Sequence, residues 1–396
     1  MKKSILYISW DGILEPLGQS QVLSYLKHLS SNFNFYLISF EKKKDISSKK
    51  NFNEILSICE SSHIKWYKIN YSQKLFFLSS ILNILKCFFL SFYLVFRYKI
   101  KLIHSRSYPP AIISEILKKF FKIKSIFDMR GFWFDEKVDS GLWKKKSLSY
   151  RIGKKIEILL LKNSNIIISL SESGKKELEK MNILRNKKSL IYVIRTCTDL
   201  KKFNKQSILK KPSITLGYIG TVRGWYLFDP VLKVFKYLKK KQPNSKLRIL
   251  NINDHDYIKT MINKYNFNNE DIYIGESKFA NIQKEMNKID IGVFFIKPTF
   301  SKKASCATKL GEFLASGIPI ITNDGVGDHS EILTNSKTGI IIKDFHELNI
   351  KKSVDLIENL INDPNLQNRC HNVSKNLFSL EKGVLSYLKI YNALLK

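Results

Sequence analysis

The stretch that most constrains this chain runs from Phe294 to Glu331, FFIKPTFSKKASCATKLGEFLASGIPIITNDGVGDHSE. An apolar strand over 289–296 leads into a basic loop of small residues. A helix is predicted from 307 or 308 to 317, then a strand over 318–322. Thr308 suits a helix cap, Gly317 suits the left-handed position after a last turn, and Pro319 cannot extend the helix. Strand, loop, helix and strand in that order make a βαβ crossover, which commits the chain to a parallel sheet. Lys309 and Glu312 stand three residues apart and share one helix face near its start. A helix N-terminus offers free N–H groups and positive partial charge to a phosphate. Lys309 strengthens that site, and Glu312 one turn deeper can accept two hydroxyl hydrogens of a ribose. Cation and carboxylate together describe a nucleotide-sugar pocket, with Ser305 and Thr308 beside it. The alternative is an ordinary i,i+3 surface pair on an amphipathic helix.

At 396 residues the chain can bury two cores, so two domains are expected. A net charge of +33 invites a nucleic-acid reading. No zinc-finger spacing or RNP-like run supports it, and Lys is abundant throughout, so a basic face toward anionic lipid is the better use of the charge. Five scattered cysteines without a C-x-x-C fit a reduced cytosol and neither a disulfide framework nor a metal site. No signal peptide precedes the first predicted strand, and a cytoplasmic location is expected.

That strand is SILYISW (4–10), followed by a loop over 11–21 and an apolar-periodic helix over 22–29. A strand at 33–40, a solvated basic loop at 42–51 and a strand at 64–70 continue the alternation. The segment LFFLSSILNILKCFFLSFYLVF (75–96) is long enough, at ~33 Å as a helix, to cross a bilayer. Lys86 at its centre and the strand resuming at 102–108 argue against a span. A core helix, or a broken pair of helices, and one dipping aromatic surface into lipid remain. LIHSRSYPP (102–110) ends a strand in polar groups before a helix over 111–120. KSIFDMRGFWFDE (124–136) ends another, clustering Asp128, Arg130, Asp135 and Glu136. Arg130 beside Gly131 can reach a phosphate or carboxylate bidentately, or close the loop as a structural pair with Asp128. A helix over 143–161, a strand in 165–172 and a polar linker over 201–213 follow. The second half restarts the pattern at 213–238, with strands at 246–253, 271–277, 289–297 and 338–344. A last helix, 373–396, is expected to return to the N-terminal domain.

TKLGEFLASGIPII (308–321) resembles the donor-site signature of family 4 glycosyltransferases, which have the GT-B fold. Ala304 stands where the family's usual E-x7-E pattern begins, and Ala307 replaces the proline of the bacterial P-T-K-x-G-E-[YF]-L-A-x-G-x-P branch. DGILEPLGQSQVLSYL (11–26) resembles the same branch's N-terminal signature, which implies that Gly18 lets the loop approach the donor phosphates. Gln19 then lies on the acceptor side. HSRSY (104–108) and FDMRGFWFDE (127–136) resemble loops facing the interdomain cleft. The resemblance implies Asp128 and Arg130 as catalytic candidates, with His104 and Arg106 on the acceptor side. IYVIRTCTDLKKF (191–203) resembles the hinge, with Arg195 where proline is usual. GYIGTVRGWY (217–226) resembles the turn opening the donor domain, making Gly220 and Arg223 diphosphate candidates, while Gly275 and Glu276 mark the turn that holds the base.

The resemblance implies two Rossmann-like α/β domains with parallel sheets facing an interdomain cleft. Residues 1–204 form the acceptor domain, joined by 378–396, and 205–377 form the donor domain. It implies retaining sugar transfer from a nucleotide-sugar, a co-substrate, to a glycan or lipid-linked acceptor in bacterial envelope polysaccharide synthesis. No cofactor and no metal are called for, since no D-x-D lies flanked by strand hydrophobics. Expected partners are the donor, the acceptor and an anionic membrane surface, with no nucleic acid, and the expected place is the inner face of the plasma membrane. Two other classes stay open: a GT-B nucleotide-sugar epimerase, which needs no acceptor, and a basic binding protein without activity.

Overall fold

The computed structural model describes residues 2–71, 76–203, 213–277 and 281–396, with side chains of 76–80 and 187–189 left aside. The chain divides into one unit of Met1–Arg195 with Leu380–Lys396 and a second of Thr196–Ser379.

The first unit is built on seven strands: β1 (Lys3–Ser9), β2 (Phe33–Lys42), β3 (Lys65–Tyr71), β4 (Leu102–Arg106), β5 (Lys124–Asp128), β6 (Ile166–Ser169) and β7 (Ile191–Val193). They lie in the order β3-β2-β1-β4-β5-β6-β7, all pairs parallel. The central strands are apolar nearly without a break because helices cover both faces of such a sheet. The second unit repeats the plan with β8 (Thr215–Ile219), β9 (Lys246–Leu250), β10 (Ile272–Gly275), β11 (Ile291–Val293), β12 (Ile320–Asn323) and β13 (Gly339–Ile342). Their order is β10-β9-β8-β11-β12-β13, again parallel. Each order reverses once, between β1 and β4 and between β8 and β11. Open sheets of this kind bind ligands beyond the strands' carboxyl ends at that reversal.

Several expected elements are corrected. The basic loop over 42–51 is helical, as Lys43–Ile46 and the start of Lys49–Ser61. Ile55 and Cys59, four apart, bury one face of the second helix, a spacing hidden among Lys and Asn. The loop over 11–21 turns helical at Pro16, a residue suited to the first helical turn, and passes through a π-helical turn at Gln19–Leu23 before Ser24–Leu29. The helix expected over 143–161 is found at Leu148–Asn163, capped by the Ser147 hydroxyl accepting from the Tyr150 N–H, and an unforeseen helix, Trp133–Asp139, precedes it. The last helix breaks into Leu366–Leu377 and Leu380–Leu395, with a bridge between Thr198 and Ser379 at the break. Most of the expected linker (204–212), and Leu75, lie outside the described residues.

The long apolar segment is one unbroken helix, Phe76–Tyr98. It is long and apolar enough to cross a membrane by length and composition. It connects β3 to β4 within one sheet, however, and packs Cys87, Leu94 and Val95 against Leu6, Ile38 and Ile103. A span would pull those contacts apart.

Candidate functional site

In the second unit the site forms where β8 and β11 diverge. Gly220, just after β8, has φ +100, a left-handed conformation that favours glycine, and its N–H donates to the Leu250 carbonyl at 2.8 Å. The helix Thr308–Ala315 is seated by Leu310, Phe313 and Leu314 in the core. Its cap is Ala307, with Thr308 as first helical residue; the Ala307 N–H donates to His329 Nε2 at 3.3 Å. The loop order therefore depends on a buried histidine that carries no charge: burial pushes His329 down to about 4, with Asp328 opposing.

Lys309 is 6% exposed and its ammonium has no hydrogen-bond partner. Nζ lies 3.8 Å from the ring centroid of Tyr226, 5.0 Å from Tyr218 and 5.4 Å from Phe294. A Cβ on Gly220 would sit 3.3 Å from that nitrogen, so glycine leaves room beside the ammonium. Burial pushes Lys309 down to about 7, with Glu312 opposing, and pushes Glu312 up to about 7, with Lys309 and Lys202 opposing. The two make no salt bridge, which disposes of the ordinary surface pair. Aromatic faces soften the cost of burying the cation without cancelling it. The arrangement suits an anion brought in by a ligand.

Trp225 and Tyr226 are held there by backbone bonds: the Lys297 N–H donates to Trp225 O and the Leu227 N–H to Phe295 O, both at 2.9 Å. Lys302 sits 3.8 Å from the Trp225 ring, so each aromatic of the pair faces a lysine. Ser305 and Thr308 are half-buried at the helix start. Arg223 is not part of this cluster. Its guanidinium is engaged by Asp254 at 3.0 Å and lies 4.1 Å from the Tyr257 ring. A cavity of about 160 Å³ adjoins Gly220, lined by Thr221, Asn251, Asp254 and Ser277 among others. Asn251 shapes it, donating to Gly220 O and accepting from the N–H groups of Asn253 and Asp254. Gly275 and Glu276 stand beside this lining: the Gly275 carbonyl accepts from the Asn251 N–H, and Glu276 lies 4.0 Å from His255. Sequence reasoning missed Tyr226, Asn251, Lys302 and His329; the Trp-Tyr pair after a glycine-rich turn was the available signal.

In the first unit the polar residues gather where β1 and β4 diverge. Arg106 is 1% exposed; Nε donates to Asp11 at 3.2 Å and Nη1 lies 3.6 Å from Asp128. Burial works against its charge, and Asp11, Tyr7 and Asp128 outweigh it. Asp128 is wholly buried. Burial opposes its charge, but Arg130, His104 and Arg106 hold it down at about 2. His104 contacts Tyr391 Oη through Nδ1 at 2.7 Å and lies 3.7 Å from Asp128 through Nε2; burial lowers its pKa. The Tyr387 hydroxyl donates to Asp128 at 3.4 Å. Arg130, 3.7 Å from Asp128, keeps part of its side chain exposed. Its φ of 60 is strained for a residue with a side chain, and Ser107 at φ 80 is strained beside it. The pairing expected as the structural alternative is thus present, and Arg130 is the member of the pair that solvent reaches. Asp135 leaves the expected cluster to pair with Lys154 at 2.8 Å and accept from Tyr150 at 2.7 Å.

Gly18 is helical, and a Cβ there would lie 1.9 Å from the Gly12 carbonyl oxygen, so glycine is needed for packing inside this loop. Gln19 donates to Leu14 O at 3.1 Å and Asn51 Oδ1 at 3.3 Å, bracing the loop. Glu41, unforeseen, accepts the N–H groups of Ile13 and Leu14. Tyr387 and Tyr391, also unforeseen, are delivered by the C-terminal helix Leu380–Leu395. Among the described residues no group of three His, Cys, Asp or Glu side chains is placed to hold a metal.

Residues 198–377 match the family model described as glycosyl transferases group 1. Lys309, Glu312, Tyr226 and Gly220 all lie inside the matched span. No curated protein matches the sequence significantly. Among solved structures, a glycosyltransferase from Rickettsia africae matches at 17% identity and TM-score 0.71, over 100% of this chain and 99% of that one. Sucrose-phosphate synthase from Thermosynechococcus elongatus matches at 14% and 0.75, over 100% and 99%. Anabaena HepE in complex with UDP and glucose matches at 10% and 0.68, over 98% and 99%. At such identities the likeness shows the fold, which is GT-B: two α/β domains with parallel sheets.

Proposed function

We propose that the chain is a retaining glycosyltransferase that needs no metal and moves a sugar from a nucleotide-sugar to a glycan or lipid-linked acceptor. The observation that carries this reading is the buried, unpartnered ammonium of Lys309 beside Gly220. A diphosphate gives that charge its partner, and the start of the helix Thr308–Ala315 adds N–H groups and positive partial charge. Glu312, on the same helix face, takes the ribose hydroxyls. The HepE structure holds UDP and glucose, which makes a UDP-sugar the first donor to offer.

On the acceptor side Arg130 is the accessible group, and Asp128 orients it from within. Asp11 and Asp128, the carboxylates at this edge among the described residues, are both engaged by Arg106, and the acceptor oxygen attacks the anomeric carbon from the side the leaving group departs. The carbon–oxygen bond to the diphosphate breaks, and the departing phosphate takes the acceptor's proton. Lys309 stabilises the charge that develops there. Work on envelope glycans at the inner face of the plasma membrane fits the exposed aromatic face of the helix Phe76–Tyr98.

The test offers UDP-glucose and related donors with extracted bacterial lipids and polysaccharide fragments, and reads labelled product and its anomeric configuration. Transfer with retention is expected, falling at least about a hundredfold in Glu312→Ala at unchanged melting temperature. Native-rate transfer by Glu312→Ala would contradict the placement of the donor. Conversion of the donor without any acceptor would point to an epimerase instead.

A further inference from the structure

A second cavity lies apart from the residues above. It has a volume of about 470 Å³ and lies at the amino-terminal edge of the first unit's sheet. Six lysines line it: Lys3, Lys99, Lys101, Lys122, Lys124 and Lys396. Lys3 opens β1, Lys101 immediately precedes β4 and Lys124 opens β5. These three neighbouring strands bring the lysines to one end of the sheet, staggered by one residue from strand to strand. Lys99 follows the helix Phe76–Tyr98, and Lys396 follows Leu380–Leu395. No Asp or Glu is in the lining.

Two lysine clusters elsewhere in the chain have carboxylate partners: Lys154 has Asp135, and Lys246 and Lys239 share Asp271. Here Lys3 donates to the Leu395 carbonyl, and none of the other five ammoniums has a hydrogen bond or ion pair among the described residues. The carbonyl ends of the two helices supply negative partial charge, together equivalent to about one elementary charge against six. The excess is positive and converges on one cavity from separate elements.

The helix that ends at this cavity is apolar on both sides. Leu94 and Val95 pack in the core with the buried Asn83, Cys87 and Ser91, while Phe89 at 67% exposure, Tyr93 at 55% and Phe96 at 70% face out, with Lys86 and Arg97 exposed among them. A helix packed on a soluble core buries its aromatics and exposes its polar residues. Phe120 extends the apolar face from the end of the neighbouring helix Tyr108–Leu117, 5.9 Å from Phe92 and two residues before Lys122. Aromatic rings outside and ammoniums at their end match the two depths of a membrane surface, acyl boundary and phosphate.

We infer that the six-lysine cavity binds the phosphate headgroup of an anionic phospholipid while the aromatic face of Phe76–Tyr98 enters the bilayer surface. This deepens, and rests on, the peripheral attachment proposed above; it does not depend on the sugar transferred.

The test is flotation of the full chain with vesicles of phosphatidylcholine alone or with phosphatidylglycerol at roughly one part in three. Lys101→Gln/Lys122→Gln/Lys124→Gln is compared with Lys259→Gln/Lys264→Gln/Lys284→Gln, which removes equal charge from the second unit. The first triple is expected to lose at least about tenfold in binding to anionic vesicles, and the second less than about twofold. Equal losses, or none, would overturn the cavity as a site. If Phe89→Ser/Phe96→Ser abolished flotation while the first lysine triple floated normally, attachment would stand and the cavity would fall. Calorimetry with soluble glycerol phosphate separates the sources. Tight binding lost in the first triple, with flotation unchanged, would overturn the lipid assignment in favour of a free phosphate.

Discussion

Arg106 and Lys309 are both buried cations set where the strand order of their sheet reverses, and their surroundings are opposite. Arg106 has Asp11 and Asp128 within 3.2 and 3.6 Å, and Asp128 is in turn bounded by His104, Arg130 and Tyr387. Lys309 has three aromatic rings, a glycine and no hydrogen-bond acceptor. The first arrangement is complete without a ligand and fixes the geometry of Arg130. The second is incomplete, and its missing partner is an anion. A buried charge that is paired marks scaffold; one left unpaired beside an open glycine marks a binding site.

That contrast is broken most severely at Asp128. Asp128→Ala strands Arg106 and part of Arg130, and is expected to cost about 3–5 kcal/mol in urea unfolding of the first unit. A loss under about 1 kcal/mol would show that the cluster is not the scaffold described. Lys309→Met is expected to go the other way. It replaces an unpaired cation by an apolar chain of similar length, so the ligand-free protein should gain about 1 kcal/mol or stay level. Destabilisation would mean that Lys309 has a partner in the unliganded state.

Protonation sharpens the difference. With Lys309 at about 7 in the free site, its amine is mostly neutral at pH 8, and a bound diphosphate raises its pKa. UDP binding at pH 8 should therefore take up a proton, close to one per site, read by calorimetry in buffers of different ionisation enthalpy. Uptake should shrink toward pH 6, where the ammonium is already formed and Glu312, pushed up to about 7, releases a proton as it takes the ribose hydroxyls. Asp128, held at about 2, stays ionised across that range and contributes nothing to it. The smallest effect is expected at Tyr391→Phe, which removes the contact to His104 and should cost about 1 kcal/mol with little change in UDP affinity.

Much of the frame was legible. The alternation of apolar strands with periodic helices foretold both parallel sheets, and TKLGEFLASG placed Lys309 and Glu312 on one helix face. What lay beyond reach was assembled from distant segments. The cage around Lys309 takes Tyr218, Tyr226 and Phe294 from separate parts of the chain. Arg106 finds Asp11 across 95 residues, and His104 finds Tyr391 across 287. Local pattern says nothing about such pairings. Arg223 was placed with the phosphates because it stands among glycines; Asp254 and Tyr257, some thirty residues on, hold it elsewhere. The helix Lys49–Ser61 escaped notice because Lys and Asn dominate its exposed side and leave few apolar positions to set the period.

The most direct test of the account is the affinity of UDP for the native chain and for Lys309→Met, measured by calorimetry at pH 6, where the ammonium is formed. The account predicts a loss of at least about a hundredfold in the variant, together with equal or higher stability of the ligand-free protein. Native affinity in Lys309→Met, with the variant folded, would contradict the claim that this buried charge is what the diphosphate completes.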